Sequence, residues 1–256
     1  KPERAVDLPR LDALLLVLGG LAAGFLNVVA GGGSLITMPL LIFGGLPATS
    51  AIGTIRLAIL VQSMTATVRY HRSGVIDWQA LPPLLLPICS GTLAGALLAT
   101  QIDNSSFHAL VGWVTLAAGA LVAIDINKLL QRKQQDLTRT RRLMLFVSLV
   151  LVGFYAGLIQ AGVGYLFLAA LVIGAQFTLV QANVMKVVLV LCLTPITLLV
   201  FGLSSQIHLG YALMLTIGQA LGAYAGVTVN LRKGASVIRP LLALVVVAAA
   251  LKLLFF

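Results

Sequence analysis

The chain has 256 residues, of which 60% are hydrophobic and only 9% are charged, and its formal net charge is +10. A soluble domain carries roughly 25% charged residues, so this composition excludes an ordinary soluble globular protein. The basic residues lie in short loops and at the ends of apolar runs, which is typical of the positive-inside pattern of membrane proteins and argues against nucleic-acid binding. The apolar runs lack the alternation of transmembrane β-strands, so we predict an all-α polytopic integral membrane protein.

The apolar segments occur in chain order as two series. Each series has one long segment, one short segment and then three long segments. They cover 11–30, 35–46, 50–70, 81–100 and 107–126, and then 143–161, 165–176, 182–203, 209–230 and 238–256. We therefore predict a first transmembrane repeat over 1–127, a basic cytoplasmic linker over 128–142 and a second transmembrane repeat over 143–256.

Residue matches between the halves support a duplication, which is a common plan of secondary transporters. Gly91 and Gly95 align with Gly222 and Gly226, and these pairs of small residues predict close helix packing. The order of long and short segments is also the same in both halves.

The short segment of each half decides how the repeats are oriented. About 12 residues span roughly 18 Å, which is too short to cross a bilayer unaided. Re-entrant short segments would give four crossings per half and parallel repeats, whereas crossing ones would give five and inverted repeats. Charge counting does not separate these topologies. The shortness of the segments favours two structural repeats, each with four long spans plus one short broken or re-entrant segment.

A glycine-rich break precedes each short segment. A helix that begins within the membrane after such a break presents free N–H groups and the positive end of its dipole, which is suited to an anion. The alternative is a tight loop that only lets two helices pack. The candidate substrate-binding residues at the breaks are Asn27, Gly31, Gly32, Gly33 and Ser34 in the first half, and Gln160, Gly162, Gly164 and Tyr165 in the second.

Two cations, Arg56 and Lys186, lie in the first turns of the long segments that follow the breaks. Cations within spans are costly and usually face a cavity or a partner, although snorkelling to the interface is an alternative. None of the seven carboxylates lies mid-span, so a bound anion is the natural counter-charge. Thr54 and Asn183 could add hydrogen bonds to it.

The spans carry no pattern that predicts catalysis. They contain no nucleophile–base pair, no paired carboxylates and no metal-ligand cluster. The sequence therefore predicts no enzyme, no catalytic residue, no metal and no cofactor. A non-transporting membrane scaffold or accessory subunit is the alternative to a transporter, and it predicts that the glycine breaks tolerate bulky side chains.

The chain resembles the sulfite exporter TauE/SafE family of membrane permeases. The resemblance rests on the stretch from Gly24 through the glycine break to Leu41, on Ala51–Thr54, and on Tyr70–Trp78, and it covers nearly the whole chain. It departs from the family pattern after Thr54, where a small polar residue is expected and this chain has Ile55 followed by Arg56. It also departs before Lys186, where a Gly-Thr pair is expected and this chain has Val184 and Met185.

The resemblance implies a secondary transporter, a permease or exporter, of sulfite, sulfonates or another organosulfur anion at the bacterial inner membrane. The expected partners are a small anionic substrate and the lipid bilayer, without nucleic acid, and a homo-oligomer is compatible with this expectation. The anion, the direction of transport and the coupling ion stay open.

Overall fold

The computed structural model describes residues 10–29, 31–103, 105, 107, 113 and 139–233. The predicted fifth segment of the first half, apart from residues 107 and 113, the fifth segment of the second half and most of the predicted basic linker lie outside these described residues. The described elements are helical: α1 Arg10–Val29, α2 Ser34–Phe43, α3 Ala48–Arg72, α4 Pro82–Ala99, α5 Arg139–Leu158, α6 Val163–Ala169, α7 Leu179–Leu203 and α8 Leu209–Lys233. Helix α6 continues into a π-helical turn over Ala170–Gly174.

Five of these helices are long and apolar enough to cross a membrane, and they are α3, α4, α5, α7 and α8. Local sequence fixes several of their ends. Helix α7 begins with a capping box, in which Thr178 and Gln181 each bond the other's backbone N–H. Helix α4 begins with Pro82 in its first turn, where a missing N–H is harmless. The prediction of a helical membrane protein is confirmed.

Helices α1 and α8 pack through glycines. A Cβ added at Gly218 would lie 2.1 Å from the carbonyl oxygen of Val17, and one at Gly222 would lie 2.0 Å from that of Leu21. The two backbones are therefore in direct contact, as small residues at membrane helix interfaces permit. Because the contacts advance along both helices together, α1 and α8 are parallel.

Helices α4 and α5 form an equivalent interface. A Cβ at Gly153 would lie 2.3 Å from the carbonyl oxygen of Ile88, and one at Gly157 would lie 2.1 Å from that of Thr92. These two helices are also parallel. Each of the two glycine-rich interfaces thus joins a helix of the first half of the chain to a helix of the second half.

Helix α3 runs in the same direction as α8. The N–H of His208, just before α8, donates to the hydroxyl of Thr54 near the start of α3. At the other end, Asn230 donates to the hydroxyl of Tyr70. Since α8 is parallel to α1, all three helices point the same way.

The short helix α2 returns the chain between α1 and α3. Gly33, at its start, lies against Ala23 of α1, and Leu40, further on, lies against Gly19. The four-crossing interpretation requires α1 and α3 to be antiparallel, so it is wrong. With flanking loops on both sides, ten helical residues are enough to lead the chain back along α1.

In the second half, the chain also turns back along the helix that precedes the break, and its helices α5 and α7 run opposite to α3. Gly174, at the end of the π-helical turn, lies against Leu145 near the start of α5, so α6 returns along α5. Arg56, near the start of α3, contacts both Phe201 near the end of α7 and Ala156 near the end of α5. Helices α5 and α7 therefore both run opposite to α3.

The glycine interfaces lead to a stability prediction. Gly95→Ala would bring a Cβ within 2.0 Å of the carbonyl oxygen of Phe154, whereas Gly210→Ala meets open space. Overpacking typically costs about 1–3 kcal/mol, while alanine is otherwise the better helix former by about 1 kcal/mol. We expect Gly95→Ala to lower the Tm in detergent and Gly210→Ala to leave it unchanged or raise it. Equal Tm values for the two variants would contradict the close contact.

Candidate functional site

The two glycine breaks cross at the centre of the molecule. A Cβ at Gly164 would lie 2.3 Å from the Cα of Gly31, and Gly31 itself has a left-handed φ of 86°. The hydroxyl of Ser34 donates to the carbonyl of Gln160 at 3.1 Å and accepts from the N–H of Gly162 at 3.4 Å. Only glycine fits such a backbone crossing, because any side chain would push the two segments apart.

Most backbone donors at the breaks already have acceptors within the protein. The N–H of Gly33 donates to the side-chain oxygen of Asn27 at 2.7 Å, and the N–H of Gly31 donates to the carbonyl of Leu26 at 2.9 Å. The N–H of Tyr165 donates to the carbonyl of Gly162 at 3.2 Å. An anion held by these N–H groups would have to displace those acceptors, so side chains are the better candidates for binding it in this conformation.

Lys186 lies beside the first break and is only 2% exposed. Its side-chain nitrogen is 3.0 Å from the carbonyl oxygen of Asn27 and 2.6 Å from the side-chain oxygen of Asn183. Asn183 also donates to the carbonyl of Val28 at 2.8 Å. Lys186 and Asn183 of α7 therefore satisfy the last carbonyls of α1, where a cation also complements the negative end of the helix dipole.

Arg56 hydrogen-bonds the last carbonyls of α5 in the same way. Its guanidinium donates to the carbonyls of Ala156 and Gly157, at 2.9 Å each, and lies over the ring of Phe201. The structure therefore brings Arg56 to the C-terminal end of a helix of the other half, and it does not line the cavity described next. Neither side chain snorkels to the membrane interface, since Arg56 is 1% exposed and Lys186 is 2% exposed.

A cavity of about 30 Å³ lies between the breaks and helices α3 and α7. One water molecule needs about 10–15 Å³ by this measure, so the space suits one or two waters or a very small ion. The lining residues are Asn27, Gly31, Ser34, Ile59, Gln62, Ser63, Gln160, Val163, Gly164, Lys186, Val187 and Val190. The wall thus combines one cation, several uncharged polar groups and a few apolar side chains.

Two polar atoms in the cavity wall have no hydrogen-bond partner among the described residues. They are the hydroxyl of Ser63, which is 1% exposed, and the side-chain oxygen of Gln160, which is 4% exposed. Buried polar groups are almost always satisfied, so each exception needs an explanation. A ligand or water in this cavity would supply the missing partners.

The structure brings about half of the predicted binding residues to the cavity wall. Six of them line it: Asn27, Gly31, Ser34, Gln160, Gly164 and Lys186. Gly33, Gly162 and Asn183 each hydrogen-bond one of those six, whereas Gly32 and Tyr165 do not line it. Thr54 bonds to Ser50 and His208, and together with Arg56 it lies outside the wall.

Sequence reasoning did not select Gln62 or Ser63 for the site. Gln62 accepts from the side-chain amide of Asn27 at 3.0 Å, and Ser63 follows it in the wall. The available signal was two adjacent uncharged polar residues in the middle of the apolar helix α3. Among the residues that the structure describes, no group of three or more His, Cys, Asp or Glu side chains could hold a metal.

The placement of Arg56 leads to a second prediction. Arg56→Met removes two charge-assisted hydrogen bonds, each worth about 1.5–3 kcal/mol, and leaves two carbonyls at the end of α5 unpaired. We expect a large loss of Tm in detergent. Arg72→Met, at an exposed residue of the same helix, serves as the matched control and is expected to have little effect. A Tm for Arg56→Met equal to that of the native protein would contradict the capping role.

Comparison with known proteins identifies the family. Residues 16–253 match the model of the family described as sulfite exporter TauE/SafE. The chain is 32% identical to the probable membrane transporter protein ORF9 of Sinorhizobium sp., over 93% of this chain and 91% of that protein. It is 29% identical to a probable membrane transporter protein of Haemophilus influenzae, over 89% of this chain and 88% of the relative.

A further relative is the probable membrane transporter protein YfcA of Escherichia coli K12, which is 26% identical over 94% of this chain and 89% of its own length. No solved structure gives a significant match. The family match extends over both glycine breaks, both buried cations and the cavity between them. The chain therefore belongs to the sulfite exporter TauE/SafE family, a family of membrane transporters.

Proposed function

We propose that this protein is a secondary transporter of small anions, with sulfite, a sulfonate or another organosulfur anion as the substrate. The observation that carries the proposal is the buried amino group of Lys186 in the wall of a polar cavity between the two helix breaks. A cation at membrane depth is expected to face a substrate path or a partner. Among the described helices, only α1 contains an acidic residue. This residue is Asp12, near the start of α1, whereas the glycine break lies at the end of α1.

The other polar groups in the wall suit an oxyanion. The Ser63 hydroxyl can donate a hydrogen bond, and the side-chain amides of Gln62, Gln160 and Asn27 can reorient to donate as well. The small volume selects against extended organic anions in this conformation. A compact sulfur oxyanion presents several acceptor oxygens within a small radius, which matches donors that converge from α1, α3 and α7.

The transport mechanism we propose is alternating access between two inverted repeats. In support, α3 and α7 are antiparallel, and each glycine interface pairs a helix of one half with a helix of the other. Inverted repeats with a site formed by broken helices at their interface are common among secondary transporters. Rocking of one half against the other around the Gly31–Gly164 crossing would open the cavity alternately to the two sides.

We further propose a multi-pass arrangement in the bacterial inner membrane, with one end of the bundle cytoplasmic. Helix α3 ends at this end with Arg69 and Arg72, α5 begins there with Arg139, and α8 finishes there with Lys233. A concentration of basic residues marks the cytoplasmic side. Arg10, at the start of α1, lies at the opposite end.

Anion flux into proteoliposomes tests this function. Sulfite, thiosulfate, sulfoacetate, sulfate and a small carboxylate would be compared for the native protein, Lys186→Met and Arg72→Met. We expect flux of a sulfur anion in the native protein and native flux in Arg72→Met. Lys186→Met should lose at least about tenfold, because removing one partner of a buried charge pair costs about 3–5 kcal/mol and a tenfold change corresponds to about 1.4 kcal/mol.

Two results would count against the proposal. Flux that Lys186→Met leaves intact, in protein with native-like Tm, would remove Lys186 from the binding site. Absence of flux for every anion would contradict the transporter assignment to this substrate class and favour a scaffold role.

A further inference from the structure

The side-chain nitrogen of Lys186 can form three hydrogen bonds, and one of these three positions has no partner among the described protein groups. An ammonium has three N–H donors, and within the described part of the chain two of them are taken, by the carbonyl of Asn27 and the side-chain oxygen of Asn183. Lys186 also lines the cavity. The third position therefore has only the cavity to face.

Both protonation states of the side chain satisfy the two protein contacts. A neutral amine has two N–H donors, which suffice for Asn27 and Asn183, and a lone pair at the third position. An ammonium has an N–H at that third position instead. Protonation thus converts the cavity-facing position from an acceptor into a donor, without any change in the contacts that hold the side chain.

The surroundings of Lys186 supply no full negative charge in the described structure. The elements packed against α7 are α3, α4, α6 with its π-helical turn, and α1. None of their residues is acidic except Asp12, 15 residues before Asn27 and therefore about 22 Å away along α1. The titratable or basic residues on these elements and on α7 are Arg10, Arg56, Arg69, Tyr70, His71, Arg72, Cys89, Tyr165 and Cys192.

Of these groups, only Arg56 carries a permanent charge near the middle of the bundle, and its charge is positive and already bonded to α5. Asn27 and Asn183 offer neutral dipoles. A buried ammonium without an ionised partner is strongly unfavourable, and such a group tends to give up its proton instead. An anion in the cavity would favour the protonated form of Lys186 instead, because it places a negative charge next to the third position of the nitrogen.

We propose that the substrate anion and one proton bind together, with Lys186 as the proton acceptor. The inference rests on the proposed function, since it requires the anion to occupy this cavity. In the empty site the Lys186 nitrogen is a neutral amine. When the anion enters, the amine lone pair takes one proton from solvent, and the resulting N–H donates to the anion. With a singly charged anion, the loaded site then carries one positive and one negative charge, so its net charge equals that of the empty site.

This coupling identifies the proton as the co-transported ion. A loaded site of unchanged net charge can cross the low-dielectric centre of the protein more easily than a bare anion or a bare cation. Each transport cycle would then carry one proton with each anionic charge that Lys186 neutralises. A pH difference across the membrane would drive the anion in the direction in which the proton moves.

Isothermal titration calorimetry of the native protein in detergent tests the coupling. Thiosulfate and methanesulfonate are suitable probes, because neither takes up a proton between about pH 6 and about pH 9. Titrations in buffers of different ionisation enthalpy report the number of protons bound with each anion. We expect one proton per anion at the alkaline end of this range, where the affinity should fall about tenfold for each further pH unit.

Lys186→Arg identifies the group that takes up the proton. Arginine keeps its charge at every pH of the titration, so this variant should bind the anion with no proton uptake and no pH dependence. His71→Gln, at an exposed histidine of α3, is the matched control, and it should retain the uptake of the native protein. Uptake that persists in Lys186→Arg would overturn the assignment to Lys186.

Two further outcomes separate this inference from the proposed function. Anion binding by the native protein without proton uptake across the whole range would overturn the coupling and leave the anion transporter intact. Absence of binding by any probe, in protein that unfolds cooperatively on heating, would contradict the anion site itself and the coupling with it.

Discussion

The central constraint of this structure is the crossing of two backbone segments at Gly31 and Gly164. These segments end α1 and begin α6, so their contact fixes where two interrupted helices meet. Ser34 bonds both the carbonyl of Gln160 and the N–H of Gly162, and thereby ties the first break to the second. The cavity exists because the chain leaves its helical path at this point on both sides. Because the crossing carries no side chains, α3 and α7 can lie close to it and form the other walls of the cavity.

The two buried basic side chains show how a membrane bundle can contain basic residues without buried acids. Arg56 and Lys186 each reach from a helix of one half to the last carbonyls of a broken helix of the other half. Carbonyl dipoles at a helix C-terminus carry partial negative charge, which offsets part of the desolvation of a cation. The guanidinium has two such bonds and a ring contact, and its buried Nε has no partner among the described residues. Only Lys186 of the two lines the cavity, so a ligand there can reach Lys186 and not Arg56.

Much of the fold and part of the site could be predicted from the sequence, and the errors have physical causes. The glycine pairs at Gly91 and Gly222 were recognised as packing residues because a small side chain has one dominant use between membrane helices. The direction of α2 was predicted incorrectly, because length alone does not distinguish a re-entrant segment from one that returns along a neighbouring helix. Arg56 was grouped with Lys186 because both are cations at equivalent depth. Their partners are carbonyl groups 100 or more residues away along the chain, and no local pattern reveals them.

The sequence by itself determined that this protein is a helical membrane protein with two interrupted helices and uncompensated cations. Hydrophobicity, glycine content and the positions of charges are local properties, and a bilayer acts on them directly. Only the tertiary structure decided that the two interruptions cross each other, that α1, α3 and α8 are parallel, and that Gln62 and Ser63 join the cavity wall. These features depend on which helices become neighbours. Packing of all the helices together selects those neighbours, because glycine interfaces of similar composition could pair in more than one way.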